Sequence, residues 1–202
     1  MAEHGLQIIE RIKKIYESGE NIIKYIKQGS DRANTVEDIL ISYDFQSGSY
    51  VDFVNKNEEY VETFTNAIAK IFDGLDYNTV MEVGVGEATT LGNLIPKLKH
   101  GTNFFGFDIS WSRIYVGKDY LKTKNVKAKL FLGDLFNIPM KDSSVDVIYT
   151  SHSIEPNGGR EKEAIIELYR VTKNYLILLE PTNNFATQEG IDRMKSNGYV
   201  QN

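Results

Sequence analysis

The stretch "VMEVGVGEATTL", residues 80–91, decides the architecture. It starts as a short apolar run, meets an acid at Glu82, and then sets Gly84 and Gly86 at alternate positions before small residues that can open a helix. A strand that turns through glycines into a helix reads as the start of a βαβ unit. The bare backbone permits a tight turn and a close approach of ligand, and free N–H groups at the helix start supply donors. In the dinucleotide fingerprint a third glycine falls at position 89, which is Thr here, so the spacing is G-x-G-x-A through Ala88. Glu82 would repel a pyrophosphate and attract an amino group, so the expected ligand is partly cationic.

Working outward, four more β-rich runs follow: "NFFGFDI", "AKLFLG", "VDVIYT" and "NYLILLE". The stretches between them, "TTLGNLIPKLKH", "WSRIYVGKDYLKTK" and "REKEAIIELYRVT", fit helices, the first shortened by Pro96. This alternation predicts an α/β fold, a three-layer sandwich with a mostly parallel sheet covered on both faces. Upstream the texture is helical. Isoleucines recur at helical spacing from residue 8 to 26 with a break at Ser18-Gly19, and "NTVEDILISYDF" and "NEEYVETFTNAIAKIF" read as two further helices. Residues 1–78 are therefore expected to form a helical extension or lid packed on a core of residues 79–202. In "ISYDFQSGSYVDFV", residues 41–54, aromatics interleave with polar groups. Tyr43, Gln46 and Tyr50 are candidates to reach a ligand from such a lid; the alternative is a loop anchored by its tyrosines in the core.

Composition narrows the function. With 202 residues and 41% hydrophobic side chains the chain suits one domain, and its net charge of −5 argues against nucleic acid or an anionic membrane as partner. The lysines of "KDYLKTKNVKAK" read as a solvated face. There is no cysteine, which excludes disulfides and thiolate metal sites, and no metal is expected. The start, "MAEHGLQIIERIKK", resembles neither a signal peptide nor a membrane span, so a cytoplasmic location is expected.

Two further acids end predicted strands. Asp108, one βαβ step after the glycines, can accept hydrogen bonds from both hydroxyls of a ribose, as it would in an NAD site. Asp134, after Gly133, can accept from an exocyclic amine such as that of adenine. Glu82, Asp108 and Asp134 together describe a ligand made of amino acid, ribose and adenine. The set "EVGVGEA", "GFDIS" and "GDLFNIPMKDSSVDVIY" resembles the class I methyltransferases that use S-adenosylmethionine, in particular the type 11, ubiquinone-type small-molecule group. The resemblance spans about residues 79–181, and it implies a Rossmann-like sheet in the order 3-2-1-4-5. It assigns the methionine end of the cofactor to Gly84 and Gly86 with Glu82, the ribose to Asp108, and the adenine amine to Asp134. Ile109 and Leu135 would line the adenine faces, and Ser151 the cofactor at the end of the fourth strand. Asp142 and Asp146 are read instead as turn and edge acids.

The resemblance also implies methyl transfer, with S-adenosylhomocysteine as product. After the fourth strand, "TSHSIEPNGG" offers His152 and Glu155 as a pair able to deprotonate a hydroxyl, against the alternative of a histidine bonded to backbone. The Asn-Pro-Pro-aromatic motif of many nitrogen methyltransferases is absent, so O-methylation of a small-molecule acceptor is preferred. Two rivals stay open: a non-catalytic S-adenosylmethionine-binding protein, and an NAD-dependent oxidoreductase. The family's sheet normally has seven strands, and strands 6 and 7 are expected to be missing here. The chain would then be a short form, a truncation, or a subunit completed by another chain. An uncovered edge at the fifth strand favours association, so a homodimer is expected.

Overall fold

The structure is a computed structural model that describes residues 2–199 apart from Gly29, Asp31, Asn183 and Gly198, and the side chains from residue 7 onward. Its strands are β1 (Thr79–Val83), β2 (Asn103–Asp108), β3 (Lys129–Leu132), β4 (Val145–Ser151) and β5 (Thr172–Leu179). They form one sheet in the order β3-β2-β1-β4-β5, with every neighbouring pair parallel. The helices are α1 (Ala2–Glu17), α2 (Ile22–Ile26), α3 (Val36–Phe45), α4 (Ser49–Lys56), α5 (Glu58–Ile71), α6 (Thr89–Leu94), α7 (Trp111–Thr123), α8 (Glu161–Val171) and α9 (Gln188–Asn197). None of them is long and apolar enough to cross a membrane, among the described residues.

Side-chain alternation along β1 and β4 builds two cores. Val80, Val147 and Tyr149 pack on one face with Ile68 and Phe72 at the end of α5, Leu91 and Leu94 of α6, and Ile114 of α7. Met81, Val83 and Ile148 pack on the other with Ala164 and Leu168 of α8. Val80, Met81 and Val83 are all fully buried, as a central parallel strand requires. A register shift between Val145 and Val147 sends these two valines to opposite faces. Asp146 lies between them and clamps the entry to β1: Oδ2 accepts from Asn78 N at 2.9 Å and Thr79 N at 3.1 Å, and Oδ1 pairs with Lys173 at 2.9 Å. Burial opposes its charge, but the hydrogen bonds from Asn78, Lys173 and Thr79 outweigh that and hold the carboxyl at about 2. Asp142 pairs with Arg170 at 2.6 Å. Both acids thus serve the frame.

The segment 41–54 is not a loop. It comprises the end of α3, a turn at 46–48, and α4, whose N-cap is Gly48 at φ 98° with no side chain to cap the helix. The cap comes from afar: buried Glu87, in the glycine turn, accepts from Gly48 N at 2.9 Å and Val51 N at 2.8 Å. The far end of α3 is tied down as well, since Asp44 accepts from the hydroxyls of Ser110 and Ser112 at the start of α7. Asn34 Nδ2 donates to the carbonyls of Pro156 at 2.8 Å and Asn197 at 3.3 Å, drawing the turn before α3, the turn after β4 and the end of α9 together. Among the described residues the sheet has five strands. β5 is an edge, and α9 follows it.

Candidate functional site

Because β1 lies between β2 and β4, the chain order reverses at its carboxyl end, and a crevice opens there. The helical segments cover this crevice and leave a cavity of about 550 Å³, within the range of small-molecule sites. Glu82, Gly84, Asp108, Ile109, Asp134, Leu135, Ser151, His152 and Glu155 line it from the sheet side, and Tyr43, Gln46 and Tyr50 from α3 and α4. Of the candidate residues, Gly86 alone is outside the lining. Arg113 covers it: a Cβ on Gly86 would stand 2.4 Å from Arg113 Nη2, and one on Gly84 would stand 2.3 Å from Ser153 Cβ. With φ of 67° and 52°, Gly84 and Gly86 are bare both for the turn and for these protein side chains.

Asp108 is buried at 6% exposure, with Oδ2 accepting from Gly86 N and Oδ1 from Ser110 N, each at 2.9 Å. Two backbone donors fix the carboxylate, and each oxygen keeps a further lone pair for a ligand. Asp134 Oδ1 accepts from Phe136 N at 2.9 Å, while Oδ2 has no hydrogen bond among the described residues. The lid residues are less free than their sequence suggests. Gln46 donates back to Ser42 O at 3.2 Å and to its hydroxyl at 3.1 Å. Tyr43 and Tyr50 carry the Arg113 guanidinium between them, 5.0 and 4.6 Å from their ring centres.

At the end of β4 the backbone turns sharply. His152 adopts φ 56°, a left-handed conformation costly for a residue with a Cβ, and such strain is concentrated at functional sites. Its own N–H donates to Leu179 O at 3.1 Å, while Glu180 accepts from Ser153 N at 3.0 Å and Glu155 N at 3.2 Å, so β5 holds the turn in place. His152 Nδ1 lies 3.4 Å from Glu155 Oε2. That oxygen is buried and has no hydrogen bond, and Glu155 beside it raises the His152 imidazole above its usual 6.5.

Residues absent from the sequence reading complete the cavity. Arg113, Phe107 and Ser153 belong to the sheet side, Ile22, Ile23 and Ile39 form an apolar wall under α2 and α3, and Arg193 and Tyr199 reach in from the end of the chain. Arg113 had a weak signal, standing five positions after Asp108. Phe107 and Ser153 adjoin the candidates Asp108 and His152, while the isoleucines, Arg193 and Tyr199 had no signal, since their approach depends on how the two ends of the chain pack.

Glu82 behaves unlike a surface carboxylate. It is 3% exposed, accepts from Tyr149 Oη at 2.8 Å, and is raised by burial to about 8, against the usual 4.5. Between these two values the folded protein keeps a proton that the unfolded chain has lost, so this group makes stability fall as pH rises from about 4.5 to about 8. Glu82→Gln removes the titration. Melting temperatures of ligand-free variant and parent should therefore diverge with pH, the variant gaining most at pH 8; a constant offset from pH 5 to pH 8 would contradict the assignment.

Residues 80–175 match the model of a family described as a methyltransferase domain. No curated protein matches the sequence at a significant level. Among solved structures, the chain is similar to an S-adenosylmethionine-dependent methyltransferase from Aquifex aeolicus, at 21% identity and a TM-score of 0.50, covering 56% of this chain and 62% of that one. It is also similar to a proposed S-adenosylmethionine-dependent methyltransferase from Methanococcus maripaludis, at 19% identity and a TM-score of 0.57, covering 76% and 70%. A third likeness, at 17% identity and a TM-score of 0.50, is to the cyclase SpnF, covering 55% and 41%. At such identities the structures establish the fold, and the chain spans only 48% to 62% of the length of several of them. Together, the match over residues 80–175 and the sheet order make this part of the chain similar to a methyltransferase domain with the class I, Rossmann-like fold.

Proposed function

We propose that the protein is an S-adenosylmethionine-dependent methyltransferase acting on the hydroxyl of a small molecule, with residues 1–78 closing over a core of residues 79–202. One observation carries this reading: carboxylates at the ends of three adjacent strands face a single cavity that continues to a histidine–carboxylate pair at the end of the fourth. The residues fit the cofactor. Glu82 would hold its ammonium, Asp108 its ribose hydroxyls and Asp134 its adenine amine, with Ile109 and Leu135 along the ring faces. When bound, S-adenosylmethionine supplies a methyl group on a positively charged sulfur. A neighbouring ammonium would favour ionised Glu82, so binding at neutral pH would release a proton from it.

In this proposal the acceptor lies between the Ile22, Ile23 and Ile39 wall and His152. His152 Nδ1 stands 3.4 Å from Glu155 Oε2, which leaves Nε2 to take the proton of the acceptor hydroxyl, while bound S-adenosylmethionine would supply the methyl group. The likeness to a cyclase keeps one rival in view, a protein that binds the cofactor and transfers no methyl. An NAD enzyme is disfavoured by Glu82 and by Thr89 in place of the third glycine. We extend the proposal to a homodimer, since the edge strand β5 exposes Tyr175 and Leu178, and α8 exposes Ile166 and Tyr169.

Calorimetric titration with S-adenosylmethionine, S-adenosylhomocysteine and NAD should show binding of the two adenosyl ligands only. Asp108→Ala should weaken both by roughly ten- to a hundredfold, the loss of about 1.5–3 kcal/mol of charge-assisted hydrogen bonding. With a turned-over acceptor in hand, the rate should climb with pH through a value above 6.5, because the raised His152 imidazole must lose its proton to act as base. His152→Ala should abolish that limb while leaving cofactor affinity within about twofold, and an unchanged pH profile would remove His152 from the chemistry. In light scattering at micromolar concentration, a mass near 23.0 kDa would rule out the dimer.

A further inference from the structure

The glycine turn carries a cation that the assignments above leave without a role. Arg113, in the first turn of α7, is 8% exposed and lines the cavity with Glu82 and Asp108. Its guanidinium lies on Gly86 and between the rings of Tyr43 and Tyr50. Its side chain makes no hydrogen bond among the described residues, and its Nε is buried without a partner.

A buried guanidinium without hydrogen bonds is costly, and ring contacts offset only part of the loss of water. The nearby acids do not supply what is missing. Glu87 Oε1 stands 3.9 Å from Nε, and both Glu87 oxygens are held by the backbone of α4. The Asp108 oxygens are held by the backbone N–H groups of Gly86 and Ser110 and accept no bond from Arg113, and burial keeps Glu82 largely protonated at neutral pH. This end of the cavity therefore holds a fork of donors with no acceptor, a geometry that suits the two oxygens of a carboxylate. Glu82, lining the same cavity, suits an ammonium. The pair matches the two charges of an α-amino acid.

We infer that Arg113 receives the α-carboxylate of the ligand's amino-acid end, and so determines specificity for adenosyl ligands that carry an intact amino acid. The inference rests on the reading that the cavity binds S-adenosylmethionine. It also gives the lid tyrosines a function, because Tyr43 and Tyr50 on α3 and α4 hold the fork in place through ring contacts.

S-adenosylmethionine and its decarboxylated analogue differ only in the carboxylate, and competition binding to the full chain compares them directly. The parent protein should prefer S-adenosylmethionine by about tenfold or more. Arg113→Gln should erase that preference by weakening S-adenosylmethionine while leaving the analogue within about twofold, and Arg113→Lys, which keeps the charge but loses the fork, should retain part of it. Equal affinity of the parent for the two ligands overturns the inference while leaving the cofactor reading intact. So does an equal loss of both in Arg113→Gln, the mark of a residue that only supports the lid. If neither ligand binds the parent, the cofactor reading fails and the inference with it. Should the glutamine variant not fold, the parent's preference between the two ligands still decides.

Discussion

Everything at the cavity depends on β1 being paired in parallel on both sides. Met81 stands opposite Phe105 of β2 and Ile148 of β4, so the carboxyl ends of three strands come level, and β3 extends the row through β2. With parallel strands the connections return to the same end each time, and the residue that follows each strand tip faces the same space. Glu82, Asp108, Asp134 and His152 are separated by 18 to 26 residues along the chain and meet only because of this register. The central strand is fully buried on both faces, which leaves its register little freedom.

A row of acids at strand tips makes an open crevice. The cavity exists because the helical part of the chain is pinned over it by polar contacts. Glu87 caps α4, Asp44 holds α3 to the start of α7, and Asn34 joins the turn before α3 to the turn after β4 and to the end of α9. Of these, Glu87 and Asn34 are buried, and their bonds to backbone groups and to Lys27 Nζ compensate the desolvation locally. Among the described residues, three buried side-chain atoms lack a hydrogen bond: Arg113 Nε and Glu155 Oε2 belong to side chains that line the cavity, and Thr150 Oγ1 to one that does not.

Electrostatically the cavity is less negative than its acids imply. Glu82 carries a proton at neutral pH because burial disfavours its charge, and Arg113 lines the same cavity. A ligand bearing an ammonium would restore the Glu82 charge. The same low dielectric that suppresses an isolated charge strengthens a paired one.

Hydrophobic periodicity and turn chemistry determined the α/β architecture, the five strands and the helices around them, because these are local properties of β-rich runs, glycines and helical isoleucine spacing. The acids Asp108 and Asp134 were legible for the same reason: one ends a strand and the other stands two residues beyond one. Tertiary structure decided the rest. The helix α4 lies in a stretch that reads as a lid segment or a loop, since its cap comes from Glu87, 36 to 39 residues away. Asp146 reads as a turn acid but clamps Asn78 and Thr79 across 68 and 67 residues. The glycine turn was read as space left for a ligand, yet Arg113 and Ser153 occupy part of it, and the strained backbone of His152 follows from bonds to β5. A side chain's protonation, cap or strain depends on partners brought close by folding, and no local pattern encodes a contact made across most of the chain.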